Sequence, residues 1–373
     1  MAKIRQSGAV SIFAVIFAAL LLTILTVGFV KIMMEDQQQA TSNDLSQSAY
    51  DASLAGVEDA KRVVQSCYQG SVSACNALSA TSDCQVISRS RGVGAVEETP
   101  IRSTTVSGER FDQAYTCVNI DMYTDDYLFA LAEGEAEVVP LRARGDFNKI
   151  QIDWYLQDDA GAGVMPTAPS AASGLPVKSA WGAATPPLVR TQLIRPGGSI
   201  DLATIDSDEA SQTAFLRPTT VSNVPGAIDN VVVLTAANRP RPATDETLDN
   251  RTDGIICSRT FNNEGYACRA TLEIGTAISE ADSANAFLRL NTLYKGGSLR
   301  VRLYNDNTLV QFNGVQPAVD STGRASNLYR RIEARLQIGD DFPYPNYTVD
   351  VVNALCKDYS VSVELAFGGS CTP

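Results

Sequence analysis

Cysteine is the residue type with the most definite chemistry in this chain. Eight are present in 373 residues, Cys67, Cys75, Cys84, Cys117, Cys257, Cys268, Cys356 and Cys371, and the chain contains no histidine. Without His, neither a Ser-His-Asp nor a Cys-His nucleophile can be assembled. Without a C-x-x-C pair, finger and ribbon zinc sites are excluded. An even count, with no cysteine before residue 67, points to disulfides formed in an oxidising compartment. Eight cysteines allow on the order of a hundred pairings, so spacing alone does not choose among them. Closure of short loops favours Cys257 with Cys268, Cys356 with Cys371, and the first four among themselves.

Oxygen donors come next. Acidic pairs stand at Asp125-Asp126, Asp158-Asp159 and Asp340-Asp341. Glycoside hydrolysis needs two carboxylates flanking a sugar, an arrangement that sequence neighbours in a turn do not supply. No G-x-S-x-G, Walker loop or H-E-x-x-H is present, and the chain is read as non-enzymatic, with no catalytic residue. Calcium needs several oxygens at loop spacing. Asn305-Asp306-Asn307 and Asp201 with Asp206-Ser207-Asp208-Glu209 offer some, but no EF-hand loop exists. No metal ligand and no cofactor is assigned, calcium being the one ion such loops suit.

The net charge of −12 favours solubility and opposes nonspecific nucleic-acid binding, so no nucleic-acid partner is expected. The one basic cluster, Arg324, Arg330, Arg331 and Arg335, shares a strand-like run with Glu333 and reads as a solvated sheet face. Trp181, Tyr155, Tyr304, Tyr344 and Tyr347 suit core or loop anchoring. The segment FPYPNY, 342–347, reads as an extended exposed loop and the best guess for a contact surface.

The element that must position everything else lies at the N-terminus. A basic leader, MAKIRQSG, runs into an uncharged 22-residue segment, Ala9 to Val30. About 20 apolar residues span a bilayer core. Ser11, Thr23 and Thr26 are its only hydroxyls, and these can bond back to helix carbonyls. Lys3 and Arg5 are the only charges before the span, which places the N-terminus in the cytoplasm. The run is too long for a signal-peptide core and no A-x-A site follows it. Beyond it, Leu45, Ala49, Ala52, Gly56, Ala60 and Val63 recur every three or four residues. This is one stripe of a helix, opposite a face of Asp44, Gln47, Asp51, Glu58, Asp59 and Lys61.

Leader, glycine, apolar helix and the small-residue stripe of Ala49, Ala52, Ala55, Gly56 and Ala60 resemble the N-terminus of type IV pilin-like proteins. The chain is most similar to PilX-type minor pilins and the GspK-like pseudopilin branch. The likeness covers roughly the first 65 residues, and the tail from Tyr329 is loosely similar to large PilX-like proteins. The resemblance implies cleavage by prepilin peptidase after Gly8 and an N-methylated Ala9. It implies that Phe13, Phe17, Leu21 and Leu25 pack first in lipid and then in a filament core. Many major pilins carry Glu at the fifth mature position; Phe13 stands there, which argues for a minor or tip subunit. A Cys356–Cys371 loop would resemble the closed C-terminal loop of many pilins. Implied partners are other pilin subunits, the pilus assembly machinery, the peptidase and, before assembly, the cytoplasmic membrane.

The rest of the chain is β-rich. Residues 118–123, 149–156, 299–303, 332–338 and 361–365 alternate apolar with polar, which predicts half-buried antiparallel strands. The run 231–235, VVVLT, reads as a fully buried strand. Turn chemistry sits at Gly296-Gly297, Asn305-Asp306-Asn307 and Asn313-Gly314. The Ala/Gly/Pro/Ser-rich stretch 158–187 reads as a linker or long surface loop, and 237–254 as a second loose stretch.

The expected fold is α+β: a long N-terminal transmembrane and amphipathic helix, then an antiparallel, β-rich, sandwich-like extracytoplasmic part. The divisions are a leader at 1–8, a helix at 9–66, a disulfide-containing β section at 67–157, the linker at 158–187, and a β-rich domain at 188–373. An inserted domain between strands, with the two β regions sharing a sheet, is equally compatible. The expected function is assembly, priming or tip formation of a type IV pilus or related filament, with adhesion as an added role. The expected location is a single-pass membrane protein whose mature form lies on the pilus or cell surface. The alternative is a permanently anchored surface protein that binds a glycan or a host surface.

Overall fold

The computed structural model describes residues 8–79, 83–94, 96–101, 112–169, 178–196, 210–222, 230–235 and 252–337. Helices α1 (Gly8–Tyr68), α2 (Val72–Ser79) and α3 (Val86–Ser90) come first. Strands β1 (Thr99–Pro100), β2 (Gln113–Thr124), β3 (Tyr127–Leu131), β4 (Ala136–Pro140) and β5 (Phe147–Leu156) follow, then the single turn α4 (Gln157–Ala160). After the stretch around 158–187 come β6 (Leu188–Ile194), β7 (Ser211–Ser222), β8 (Asn230–Leu234), β9 (Thr252–Ser258) and β10 (Tyr266–Ile278). The turn α5 (Glu280–Ser283) precedes β11 (Phe287–Leu293), β12 (Gly297–Asn305), β13 (Thr308–Val310), β14 (Phe312–Ala325) and β15 (Leu328–Arg335). The class is α+β.

Two compact units emerge, interleaved in sequence. One is Met1–Asp121 with Val319–Arg335; the other is Met122–Ala318 with Leu336–Pro373. The first unit lays α1 on a four-stranded sheet ordered β1-β2-β14-β15. The chain leaves this unit along β2 and re-enters along its sheet neighbour β14, so the body of the second unit, 122–318, is an insertion between adjacent strands.

The second unit is two sheets around one core. One sheet runs β13-β12-β5-β10-β8, with β3 also pairing with β12; the other runs β4-β11-β6-β7-β9. Strand β5 lies between β10 and β12, with Ile152 facing Ala270 on one side and Val301 on the other. Trp154, Phe147, Ile150, Ile152, Leu193, Leu216, Leu272 and Leu290 from both sheets form a single buried cluster. At about 1.5–3 kcal/mol for each large side chain removed from water, this cluster is the main source of stability of the unit.

Several expectations change here. The sheets are mixed, because β8 runs parallel to β10 and β7 parallel to β9. The chain passes from β7 in one sheet to β8 in the other and back to β9. A strand that returns after such a crossover runs in its neighbour's direction. The division between 67–157 and 188–373 does not separate domains, since β5 from the first pairs with β10 and β12 from the second. The 158–187 stretch is a pinned loop where it is described. Trp181 stacks on Tyr294 at 4.7 Å, Trp154 Nε1 donates to Pro187 O at 3.1 Å, and Thr167 N donates to Ala184 O at 3.0 Å.

The run 231–235 is not fully buried. It overlaps β8, which among the described residues is an edge strand paired with β10; Val231 and Val233 are exposed while Val232 and Leu234 face the core. Asn313-Gly314 lies inside β14, with Gly314 at φ +67°, and the reversal instead falls at Ser326, φ +53°, between β14 and β15. Asp153 and Gln151, the polar positions of the 149–156 alternation, are not on a solvated face: Asp153 is fully buried and Gln151 nearly so. The outer face of β5 is therefore covered too. The runs 237–251, 338–347 and 361–365 lie outside the described residues, FPYPNY included.

Candidate functional site: helix α1 and its seat

Helix α1 has two halves with opposite surroundings. From Ile12 to Val30, thirteen large apolar side chains are about half exposed or more. Phe13, Phe17, Leu21 and Leu25 are 76%, 68%, 48% and 67% exposed. This is the one helix among the described residues long and apolar enough to cross a membrane. Its hydroxyls are satisfied within the helix: Thr23 Oγ1 donates to Leu20 O at 2.8 Å and Thr26 Oγ1 to Leu22 O at 2.7 Å. Gly8 is the first helical residue and Ala9 the second.

The second half is seated. Ala49, Ala52, Ala60 and Val64 are completely buried, Gly56 and Val63 nearly so, and Ala55 lies at the rim. Small side chains let the helix backbone touch the sheet. A Cβ on Gly323 of β14 would overlap the backbone of Ala49 and Ser53, and one on Gly56 would overlap Ser321 Oγ. Ser321 Oγ donates to Ser53 O at 2.7 Å within this contact, and Ser53 Oγ donates to Tyr50 O at 2.7 Å. Both hydroxyls are thus satisfied where water is excluded.

Asp59 does not belong to the solvated face assigned to it. Its side chain is only 14% exposed. It accepts from Tyr115 Oη at 2.6 Å, Arg91 Nη2 at 2.8 Å and Arg62 Nη1 at 3.0 Å. These bonds fasten α1 to β2 and to the residue after α3. Burial, reinforced by the Asp59 carboxylate, pushes the Tyr115 phenol up to about 12.

Disulfides lock the far end of this seat. Cys67–Cys75 joins the last turn of α1 to α2, and Cys84–Cys117 joins the segment before α3 to β2. In the other unit, Cys257–Cys268 joins β9 to β10 and so bridges the two sheets. Cys356 and Cys371 lie outside the described residues.

The remaining candidates scatter. Asp125 accepts from Gln311 Nε2 at 3.0 Å, while Asp159 locks a turn by accepting from Leu156 N at 2.8 Å and Ser298 N at 2.7 Å. Asp340-Asp341 and the 201–209 donors lie outside the described residues. The Asn305-Asp306-Asn307 turn is fastened to Asn148, whose side chain exchanges two 2.8 Å hydrogen bonds with Asp306. Among the described residues no group of three or more carboxylate, Cys or His side chains converges as a metal site. Arg324 clasps Glu98 and Asp112, Arg331 pairs with Asp320, and Arg330 donates to Ser46 of α1. Tyr155 is fully buried under Lys295, whose Nζ lies 4.5 Å from the ring centre.

Sequence reasoning found the helix stripe and missed its counterpart. Ser321 carries no signal in a strand, whereas Gly323 does, because a glycine inside a strand marks close backbone approach. No protein-family model, no curated protein and no solved structure matches this chain.

Proposed function

We propose that this chain is a minor pilin-like subunit that takes part in assembling, priming or tipping a type IV pilus or related filament. The observation that carries the reading is the split character of α1. One continuous helix offers thirteen large apolar residues to its surroundings between Ile12 and Val30, then docks on its own sheet from Ala49 to Val64. Water is no stable environment for the first half, since each such side chain gains about 1.5–3 kcal/mol on burial. Lipid satisfies it before assembly, and helices of neighbouring subunits satisfy it afterwards by exchanging lipid contacts for protein packing.

On this reading Lys3 and Arg5 keep the leader in the cytoplasm, cleavage falls after Gly8, and Ala9 becomes the new terminus. The seat built by Gly56, Gly323 and Ser321 holds the protruding half in a fixed direction, as repeated assembly requires. On this reading the inserted unit carries a second role. Deleting the gene and counting surface filaments tests the proposal. Loss of most filaments, restored by the intact gene, is expected; normal numbers together with absence of the protein from sheared filaments would contradict it.

The alternative of a permanently anchored surface protein is favoured by the same inserted unit, whose size exceeds what anchoring the helix needs. It predicts an uncleaved chain confined to the membrane fraction.

A further inference from the structure

On the inserted unit, the outer face of the β12-β5-β10 sheet carries three arginines. Register places Arg269 and Arg300 on either side of Asp153, and Arg302 beside Gln151. Asp153 is completely buried: its Oδ1 accepts from Arg269 Nε at 2.6 Å, and its Oδ2 from Arg300 Nη2 at 2.9 Å, Arg302 Nη2 at 3.3 Å and Gln151 Nε2 at 3.2 Å. A second carboxylate reaches in from the loop between β9 and β10. Glu264 Oε2 accepts from Arg300 at 2.6 Å, Arg302 at 2.7 Å and Arg269 at 3.0 Å.

We propose that Arg269, Arg300 and Arg302 form a binding site for a small oxyanion (a carboxylate, sulfate or phosphate group) and that Glu264 occupies it until such a group arrives. Three guanidinium groups meeting one oxygen is the geometry by which proteins recognise oxyanions. Three cations face two carboxylates within the hydrogen-bonded cluster, while Asp126 and Asp159 act on the adjoining Tyr266 from outside it. Of the two carboxylates only Asp153 belongs to the sheet. Glu264 stands on a loop with its side chain 40% exposed, against 8% for Arg300 and 16% for Arg302. The loop backbone is held independently, because Asn262 Oδ1 accepts from Glu264 N at 3.0 Å and Tyr266 N at 2.8 Å. Rotation of the Glu264 side chain alone therefore vacates the position. Arg300 stays in place without it, packed over the Tyr266 ring at 4.7 Å. Arg302 Nε is buried with no partner among the described residues, a spare donor for a second ligand oxygen.

This proposal is independent of filament assembly, and its test does not involve the N-terminus. Full-length protein in detergent micelles is titrated with sulfate, phosphate and acetate at constant ionic strength, with thermal unfolding and calorimetry as readouts. Saturable stabilisation by at least one of the three is expected, and which one responds identifies the ligand's group. Glu264→Gln, which removes the competing charge at constant size, is expected to tighten that binding by about tenfold, since the competent state is no longer masked. Arg302→Gln and, separately, the more exposed Arg269→Gln are expected to abolish it while near-ultraviolet circular dichroism stays native. A flat response of the wild type to all three anions, or binding unchanged in a folded arginine variant, would overturn the proposal.

Discussion

Gly323 on β14 lies so close to Ala49 on α1 that a single methyl group on the strand would overlap the helix backbone. The same interface places Gly56 of the helix against Ser321 of the strand. Two glycines, one on each element, let backbone meet backbone, and the buried bond from Ser321 Oγ to Ser53 O at 2.7 Å crosses the contact.

Gly323→Ala is therefore expected to destabilise the helix-bearing unit more than Gly56→Ala. At Gly323 the obstacle is backbone; at Gly56 it is chiefly a serine hydroxyl, which can turn aside. Overpacking of this kind costs about 1–3 kcal/mol, with the backbone case at the upper end or beyond. Ser321→Gly is expected to rescue Gly56→Ala in part and Gly323→Ala not at all. Thermal unfolding of the four variants decides the matter.

Asp59→Asn is expected to lower the Tyr115 phenol from about 12 without returning it fully to the ordinary value near 10. Burial is the larger cause of the rise and persists in the variant, whereas the carboxylate's contribution disappears. Ultraviolet titration of the tyrosines, compared with a Tyr115→Phe control, measures the change.

The legibility of this chain follows the range of its contacts. Ala49, Ala52, Gly56 and Ala60 could be read as a stripe because the helix repeats locally, and β5 and β12 because their alternation does. An insertion between strands was compatible with the sequence, but the strands that flank it were not legible, since β2 and β14 are sheet neighbours separated by most of the second unit. The parallel pairs β8–β10 and β7–β9 depend on chain crossing between sheets, which no local pattern encodes. Asp153 looked like a solvent-facing residue because alternation reports which face a side chain takes and says nothing of what covers that face. Asp59 was missed for a related reason: its partners Tyr115 and Arg91 come from other elements.

Glu264 gives the inserted unit a pH dependence with a definite sign. Burial opposes its ionisation, but hydrogen bonds from Arg300 and Arg302 overcome this and hold its carboxyl down to about 2. A carboxyl lowered on folding stabilises the native state fully above its unfolded value, ordinarily about 4.3. That contribution is lost as pH falls from there through about 2. Acid unfolding of the wild type is expected to show this dependence, and Glu264→Gln is expected to flatten it across the same window.

Removal of the disulfides is expected to rank by loop length. Cys84–Cys117 closes 33 residues and Cys67–Cys75 closes 8. In the chain-entropy account these correspond to about 3.7 and about 2.5 kcal/mol. Denaturant unfolding of the paired Cys→Ala variants should therefore show the larger loss for the longer loop. Equal losses would show that local strain or residual structure, and not loop entropy, sets the stabilities.

The most direct test of the filament-subunit reading is the N-terminal residue of the mature chain, determined by mass spectrometry for the wild type and for Gly8→Val. The account predicts a wild-type chain that begins at N-methylated Ala9 and a variant that keeps its leader. A wild-type chain that begins at Met1 or Ala2, identical in the variant, would contradict it and leave a permanent membrane anchor.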